Sequence, residues 1–227
     1  NEKNRQKVPS KKTAILPSPM RRDDLILKMR NFQVEPVIER YLAKDNLTKK
    51  TTGEILYFAF DRTIYRAFKD ETPTKRYKKW SWYSKPNELC KQLELLRSKN
   101  DFDRFLIGLA ESLVTDWGKL KNHGGSSYMN IGISLKITNL IIKHLVFSKH
   151  TNNSNLKEWL HVPWDRFTLN PLREIYQGYP AIPKKPSQGF VKNLDIYQEL
   201  HSFISGIAKE AGVNRINYEF LIWDKVH

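Results

Sequence analysis

Apolar residues recur every three or four positions along most of this chain, which is the spacing of one face of a helix. Starting at Asp24, segments of this kind follow one another with short breaks as far as Phe68. Further segments with the same spacing cover residues 88–98, 102–117, 137–147, 197–207 and 218–223. No pair of alternating strand patterns and no internal repeat stands out. The pattern predicts a mostly α protein.

The first 22 residues lack this spacing. They are polar, rich in lysine and arginine and interrupted by prolines, so they can bury little apolar surface. We expect residues 1–22 to form a basic flexible arm, which is either a solvated tail or a segment that touches phosphates. Residues 23–227 then form the helical domain.

The chain carries 39 Lys and Arg against 24 Asp and Glu, a net charge of +15. Such a charge attracts polyanions, and nucleic acid is the leading candidate. An anionic membrane would attract it too, but no run approaches the roughly 18 apolar residues of a spanning helix. We therefore expect no membrane partner. The absence of a recognisable secretory signal predicts a cytoplasmic protein, nucleoid-associated in a bacterium.

Metal and disulfide chemistry have little support in the sequence. Cys90 is the single cysteine, so no intrachain disulfide or cysteine zinc cluster can form. The carboxylates show no spacing typical of a metal site, which argues against a metal-dependent nuclease. We expect no metal and no cofactor.

A basic and aromatic segment covers residues 70–86 and has the sequence DETPTKRYKKWSWYSKP. Lysines could hold a nucleic-acid backbone while the aromatic rings stack on bases. Alternatively, the rings pack inward beneath a solvated basic rim. The pattern alone does not choose between these arrangements.

Gly132 lies just before the apolar helix predicted over 137–147, in the segment Asn130-Ile131-Gly132-Ile133-Ser134-Leu135-Lys136. Unpaired N–H groups and partial positive charge at a helix N-terminus favour phosphate, and glycine allows a close approach. Turn-forming residues 122–127, which include Ser126 and Ser127, precede this segment. We expect a phosphate-binding turn here.

Three polar residues of the same region, Lys136, Asn139 and Lys143, fall at spacings of three and four. They predict a polar edge beside the apolar face of the helix, so Lys136 faces a surface or a cleft. An ordinary exposed lysine would show the same spacing.

An extended approach follows at Leu160-His161-Val162-Pro163 and leads to Trp164-Asp165-Arg166-Phe167. Pro163 restricts Val162 to extended geometry. Asp165 precedes an apolar stretch, and its default role is to cap a helix. We expect a short turn at 166–169, followed by a helix from Pro171 to about Tyr176.

Two of these segments together resemble the active site of helix-hairpin-helix DNA glycosylases, most closely the 8-oxoguanine DNA glycosylases. They are Gly132-Ile133-Ser134-Leu135-Lys136 and Val162-Pro163-Trp164-Asp165. That family has Gly-Val-Gly-x-Lys in its hairpin and Val-Pro-Val-Asp in the later segment. Here Ser134 replaces the second glycine, Asn130-Ile131 replaces Leu-Pro, and the connection between the motifs is longer, with a surface insertion expected at 148–157.

The resemblance implies two intimately packed helical subdomains with a cleft between them, and a hairpin and catalytic segment at about 124–176. Lys136 would attack the sugar and form a Schiff base, with AP lyase activity to follow, and Asp165 would stabilise the developing charge. DNA contacts are expected from Gly132, Ser134, Asn139, Lys143, Ser126, Ser127, His161 and Arg166. The base pocket is expected from Trp117, Trp164, Phe167 and Trp223, although aromatic residues at helical spacing are more often core.

The expected partner is double-stranded DNA with a damaged or modified base, bound by a monomer. Both base excision repair and defence against phage DNA with modified bases are consistent with these residues. A different class also fits: a DNA- or RNA-binding protein without activity, in which Lys136 neutralises a phosphate and Asp165 only caps. The excised base is not identified by the sequence.

Overall fold

The structure, a computed structural model, describes residues 20–64, 74, 77–117 and 129–226. Its α-helices, numbered here in chain order, are α1 (Arg22–Asn31), α2 (Val34–Lys44), α3 (Thr52–Ile64), α4 (Pro86–Leu95), α5 (Lys99–Trp117), α6 (Ile131–Phe147), α7 (Leu156–Trp159), α8 (Arg166–Leu169), α9 (Leu194–Ala211) and α10 (Ile216–Val226). Short 3-10 helices cover Leu47–Lys49, Asn170–Leu172 and Gln188–Phe190. No strand occurs in these ranges, so the predicted mostly α class is confirmed.

Helix α6 is the centre of the molecule. Of its residues only Ile131, Lys136 and Leu140 are not buried. A helix that is apolar nearly all round is stable only when surrounded by protein, and α6 packs against α3, α5, α7, α9 and the 3-10 helix Gln188–Phe190. The partial exposure of Lys136 on such a helix is therefore a local feature that needs an explanation.

Helices from the two ends of the chain pack together. Contacts join α1 to α9 and α10, α2 to α10, and α8 to α10. The middle of the chain forms its own group, in which α3 and α5 hold α6 between them. Since α8 follows the extended segment 160–165, this segment crosses from the middle group to the helices of the chain ends.

In the basic and aromatic segment, the rings pack inward beneath a solvated basic rim, which was the second of the two predicted arrangements. Tyr77 and Trp80 are buried, whereas Lys78, Lys79 and Lys85 are exposed. The Tyr77 hydroxyl donates to the Leu56 carbonyl at 2.7 Å. Residues 70–73, 75 and 76 of this segment lie outside the described residues, as do residues 1–19 of the predicted arm.

The segment after Asp165 differs from its prediction. The expected turn at 166–169 is one turn of α-helix, α8, and the expected helix from Pro171 to about Tyr176 is wrong. A 3-10 helix, Asn170–Leu172, continues directly from α8 and ends after Leu172. Pro171 lacks the N–H that a continuing α-helix needs, which is consistent with the change of helix type. Among the described residues, no helix is long and apolar enough to cross a membrane.

Candidate active site

Lys136 and Asp165, the two residues with predicted catalytic roles, lie side by side. The Lys136 Nζ is 3.2 Å from Asp165 Oδ2. Their side chains are 13% and 25% exposed, so the pair is reachable from solvent but largely enclosed. Lys136 comes from the first turns of α6 and Asp165 from the end of the extended segment. The ion pair joins the two motifs across the fold.

Asp165 uses its two carboxylate oxygens for different purposes. Oδ1 accepts hydrogen bonds from the backbone N–H groups of Phe167 at 2.8 Å and Thr168 at 3.1 Å, which caps α8. The Thr168 hydroxyl accepts the Asp165 N–H at 2.9 Å and completes a capping box. Capping is thus confirmed for Asp165. It leaves Oδ2 directed at Lys136, so the two roles do not compete.

A cavity of about 270 Å³ adjoins this ion pair. Its lining combines a few charged groups with large rings and comes from α2, α3, α6, α8 and α10. The aromatic lining residues are Tyr41, Phe58, His144, Phe167 and Trp223. Small-molecule sites in proteins have this character, with mostly apolar walls and a few polar groups that fix orientation.

Phe167 and Trp223, two of the four predicted base-pocket residues, line the cavity. Phe167 is 41% exposed, and the Arg166 guanidinium lies 4.4 Å from the centre of its ring. Trp223 meets the Tyr41 ring edge to face, with ring centres 5.2 Å apart. An exposed ring beside a cation and an ion pair places Phe167 at the rim of the cavity.

Trp117 and Trp164 do not line the cavity and are corrected to core residues. Trp117 packs against Phe60, with ring centres 5.8 Å apart. Trp164 packs against His201, at 5.4 Å. Both indoles are almost fully buried. Trp117 is on the buried face of α5, and Trp164 is in the extended segment that crosses the core.

A second ion pair, Lys143 with Glu219, also lines the cavity. Lys143 Nζ donates to Glu219 Oε1 at 2.8 Å, with the side chains 0% and 10% exposed. The ammonium also lies 4.2 Å from the centre of the Tyr41 ring. Burial lowers the pKa of Lys143, and the carboxylate of Glu219 opposes that shift. Within the described residues, Glu219 Oε2 has no hydrogen-bond partner.

The predicted polar edge of α6 is therefore wrong for Lys143 and Asn139. Both are buried, because the neighbouring helices cover that side of α6 and supply polar partners there. Lys143 faces the cavity rather than a DNA backbone. Asn139 donates to the Leu135 carbonyl and to the Tyr197 hydroxyl, each at 2.8 Å.

Three further residues with predicted DNA contacts are also interior. A Cβ on Gly132 would lie 1.9 Å from the Val191 carbonyl oxygen, so the close approach that this glycine permits is made by the chain itself. The Ser134 hydroxyl donates to the Ala110 carbonyl at 2.6 Å. His161 is buried between hydrogen-bond partners. These side chains hold the fold together and do not form a DNA-contact surface.

Arg166 remains exposed beside the cavity, whereas Ser126 and Ser127 lie outside the described residues. The start of α6 is capped by Asn130, whose Oδ1 accepts the Ile133 N–H at 2.8 Å. At the predicted phosphate-binding turn, the Asn130 cap thus takes up the Ile133 N–H, and Val191 fills the space beside Gly132. Arg166 is the predicted DNA contact that the described surface retains.

Sequence reasoning missed the lining residues Tyr41, Phe58, His144 and Glu219. The Tyr41 hydroxyl and His144 Nε2 are 2.5 Å apart, which links α2 to α6 at the cavity wall. One signal existed for Glu219: it is a lone acid within an apolar helical segment, and a buried carboxylate needs a cationic partner. Nothing local in the sequence distinguished the other three from core residues.

In the described part of the chain, no group of three or more His, Cys, Asp or Glu side chains is arranged to hold a metal ion. Comparisons of this chain with protein-family models, with curated proteins and with solved structures found no match.

Proposed function

We propose that this protein is a DNA glycosylase that excises a damaged or modified base through a Schiff base on Lys136, with AP lyase activity. The observation that carries the proposal is the Lys136–Asp165 pair, at 3.2 Å, in the wall of an aromatic-lined cavity of about 270 Å³. An amine, a carboxylate and a pocket for a flat ring are the parts that this reaction needs. The resemblance of the two motifs to helix-hairpin-helix glycosylases points the same way.

In the proposed reaction, Lys136 Nζ attacks C1′ of the deoxyribose. The glycosidic bond breaks, and its electron pair leaves with the base, which takes up a proton. The Nζ lone pair then forms the C=N bond of the Schiff base as the C1′–O4′ bond breaks, and O4′ takes up the proton that Nζ releases. Only a neutral amine has the lone pair for this attack, so one proton must first leave the ammonium. Asp165 Oδ2 lies within reach of that proton and, as a carboxylate, stabilises positive charge that develops on the sugar.

The cavity supports a flipped base. Flipping a base out of a duplex costs a few kcal/mol, and stacking on aromatic rings can offset that cost. Phe167 at the rim and Trp223 in the wall offer such rings. Glu219 adds a carboxylate to the same lining and is hydrogen-bonded to Lys143. The substrate class proposed here is a nucleobase that enters the cavity of about 270 Å³ and stacks on its aromatic lining.

Borohydride trapping on DNA with an abasic site tests the proposal. A covalent adduct is expected with the wild-type protein and is expected to be lost in Lys136→Gln, because borohydride reduces the imine between Nζ and the sugar. Lys91→Gln, which removes an exposed lysine outside the cavity, serves as the matched control and should keep the adduct. No adduct with the wild-type protein, or an unchanged adduct in Lys136→Gln, would overturn the assignment.

A panel of duplexes with oxidised, alkylated, deaminated and glucosylated bases would then identify the substrate and separate repair from antiviral defence. The net charge of +15 also favours a second function, DNA or RNA binding without catalysis. For that function, binding weakens steeply with salt while no duplex of the panel loses a base.

A further inference from the structure

A chain of four buried or half-buried polar side chains runs through the core beneath the candidate site. His161 Nε2 lies 2.7 Å from Asp103 Oδ1, and His161 Nδ1 lies 2.9 Å from the Tyr197 hydroxyl. The same hydroxyl accepts a hydrogen bond from Asn139 Nδ2 at 2.8 Å. The chain joins α5, the extended segment 160–165, α9 and α6. None of its members lines the cavity.

Each hydrogen bond in this chain has only one possible direction. Burial lowers the pKa of His161 to about 4, so its ring is neutral at neutral pH. The Asp103 carboxylate can only accept, which makes Nε2 the donor and leaves Nδ1 as an acceptor. Tyr197 must therefore donate to Nδ1, and its oxygen accepts the Asn139 amide. A buried network in which every role is assigned holds its members rigidly.

The Tyr197 hydroxyl lies between the two segments that carry the Lys136–Asp165 pair. Asn139 is close to one helical turn after Lys136 on α6 and is fixed there by its second bond, to the Leu135 carbonyl at 2.8 Å. His161 precedes Asp165 on the extended segment, which Pro163 stiffens. A single hydroxyl thus ties both segments to α9.

We propose that Tyr197 is a positioning residue for the Lys136–Asp165 pair, since its hydroxyl, bonded to both Asn139 and His161, sets the distance between Nζ and Oδ2. The expected effect on catalysis rests on the proposed function. The expected effect on the distance between Nζ and Oδ2 does not. Replacing both partners of a buried hydrogen bond with apolar groups is often nearly neutral for stability. An apolar core could fill the same space, so what the network adds is a fixed geometry.

The variant Tyr197→Phe tests this inference, because it keeps the ring and removes only the hydroxyl. Tyr77→Phe is the matched control: it too removes one buried hydroxyl, which donates to the Leu56 carbonyl away from the cavity. Two quantities are measured in both variants and the wild type. The first is the rate of borohydride trapping on abasic DNA, alongside the affinity for that DNA. The second is the rate at which acetic anhydride labels Lys136, read by mass spectrometry without DNA.

For Tyr197→Phe we expect the trapping rate to fall about tenfold, as small misplacements of reacting groups do, with unchanged DNA affinity. Labelling of Lys136 should rise about twofold or more, because a part-exposed ion pair is easily weakened. Tyr77→Phe should match the wild type in its trapping rate and in its labelling rate. Equal labelling in Tyr197→Phe and Tyr77→Phe would overturn the inference. If the wild-type protein traps no DNA, the proposed function fails, and the labelling comparison still decides the role of Tyr197.

Discussion

Asp165 caps a helix and forms an ion pair with Lys136 through the same side chain. Its Oδ1 caps α8 while its Oδ2 faces Lys136 Nζ. The sequence raised capping and catalysis as alternatives, but the geometry makes them compatible, since a carboxylate has acceptor capacity on both oxygens.

Variants of Asp165 can separate the two roles. Asp165→Asn keeps an oxygen for the cap, so we expect little change in stability but a fall in base release of about a hundredfold or more, because the charge is lost. Asp165→Ala should also lose about 1 kcal/mol of stability with the cap. Single-turnover base release and urea unfolding measure the two effects. Full base release by Asp165→Asn would show that the residue serves only as a cap.

The Lys143–Glu219 pair is a second residue-scale test. Glu219→Gln leaves the buried ammonium of Lys143 without a counter-charge, and we expect it to destabilise the protein by about 3–5 kcal/mol. The double variant Lys143→Met/Glu219→Leu removes both charges and should recover most of that loss. Urea unfolding of both variants makes the comparison. A double variant no more stable than Glu219→Gln would contradict this account of the pair.

At the scale of elements, α6 owes its position to close packing at its first turn. Gly132 meets the backbone of Val191, and Ser134 is bonded to the Ala110 carbonyl of α5. The glycine therefore serves helix packing, even though its place before a lysine resembles a phosphate-binding motif. This contact holds the turn of α6 that carries Lys136.

The variant Gly132→Ala tests that contact. Its Cβ would lie 1.9 Å from the Val191 carbonyl oxygen, and backbone must move to relieve the clash. We expect a destabilisation of about 1–3 kcal/mol. Gly206→Ala, in the middle of α9 with open space around the added atom, should instead stabilise the protein by up to about 1 kcal/mol. The unfolding temperatures of the two variants are compared with that of the wild type. Equal changes would show that the backbone at Val191 moves aside at little cost.

At the scale of the whole molecule, buried histidines make stability depend on pH. His161 has its pKa lowered by burial to about 4, and burial also places that of His201 well below its usual value. The unfolded chain then binds more protons than the folded one, so their contribution is fully present above pH 6.5 and declines as the pH falls towards 4. For His161 alone the loss is about 3 kcal/mol.

Urea unfolding at a series of pH values from 7.5 to 4 measures this decline. We expect the urea concentration at the unfolding midpoint to decrease steadily as the pH falls below 6.5. His161→Gln should show a shallower slope than the wild type, because one of the two imidazoles whose pKa is lowered by burial is gone. The pKa of Asp103 is lowered to about 2, with hydrogen bonds from His161 and Lys99 outweighing its burial, so this carboxylate adds a loss only below about pH 4. A midpoint that is flat between pH 7 and 4.5 would contradict the burial of these rings.

Local residue patterns were enough to predict the class of elements and to single out the two motifs. Helical spacing is a local property, so the helical class and the segments of α5 and α9 could be predicted from it. Helix α6 was predicted only from Ile137; it begins at Ile131, so Gly132 lies inside the helix and not before it. The residue types of Lys136 and Asp165, with their flanking glycine and proline, identified the two side chains that the fold brings to 3.2 Å.

Long-range packing, by contrast, sets which polar and aromatic residues face the cavity. Lys143, Asn139 and His161 are buried because distant helices cover them and provide Glu219, Tyr197 and Asp103 as partners. Trp223 lines the cavity whereas Trp164 joins the core, although both are large indoles in apolar segments. Burial and pairing depend on contacts between residues far apart in the chain, and a local pattern carries no information about them.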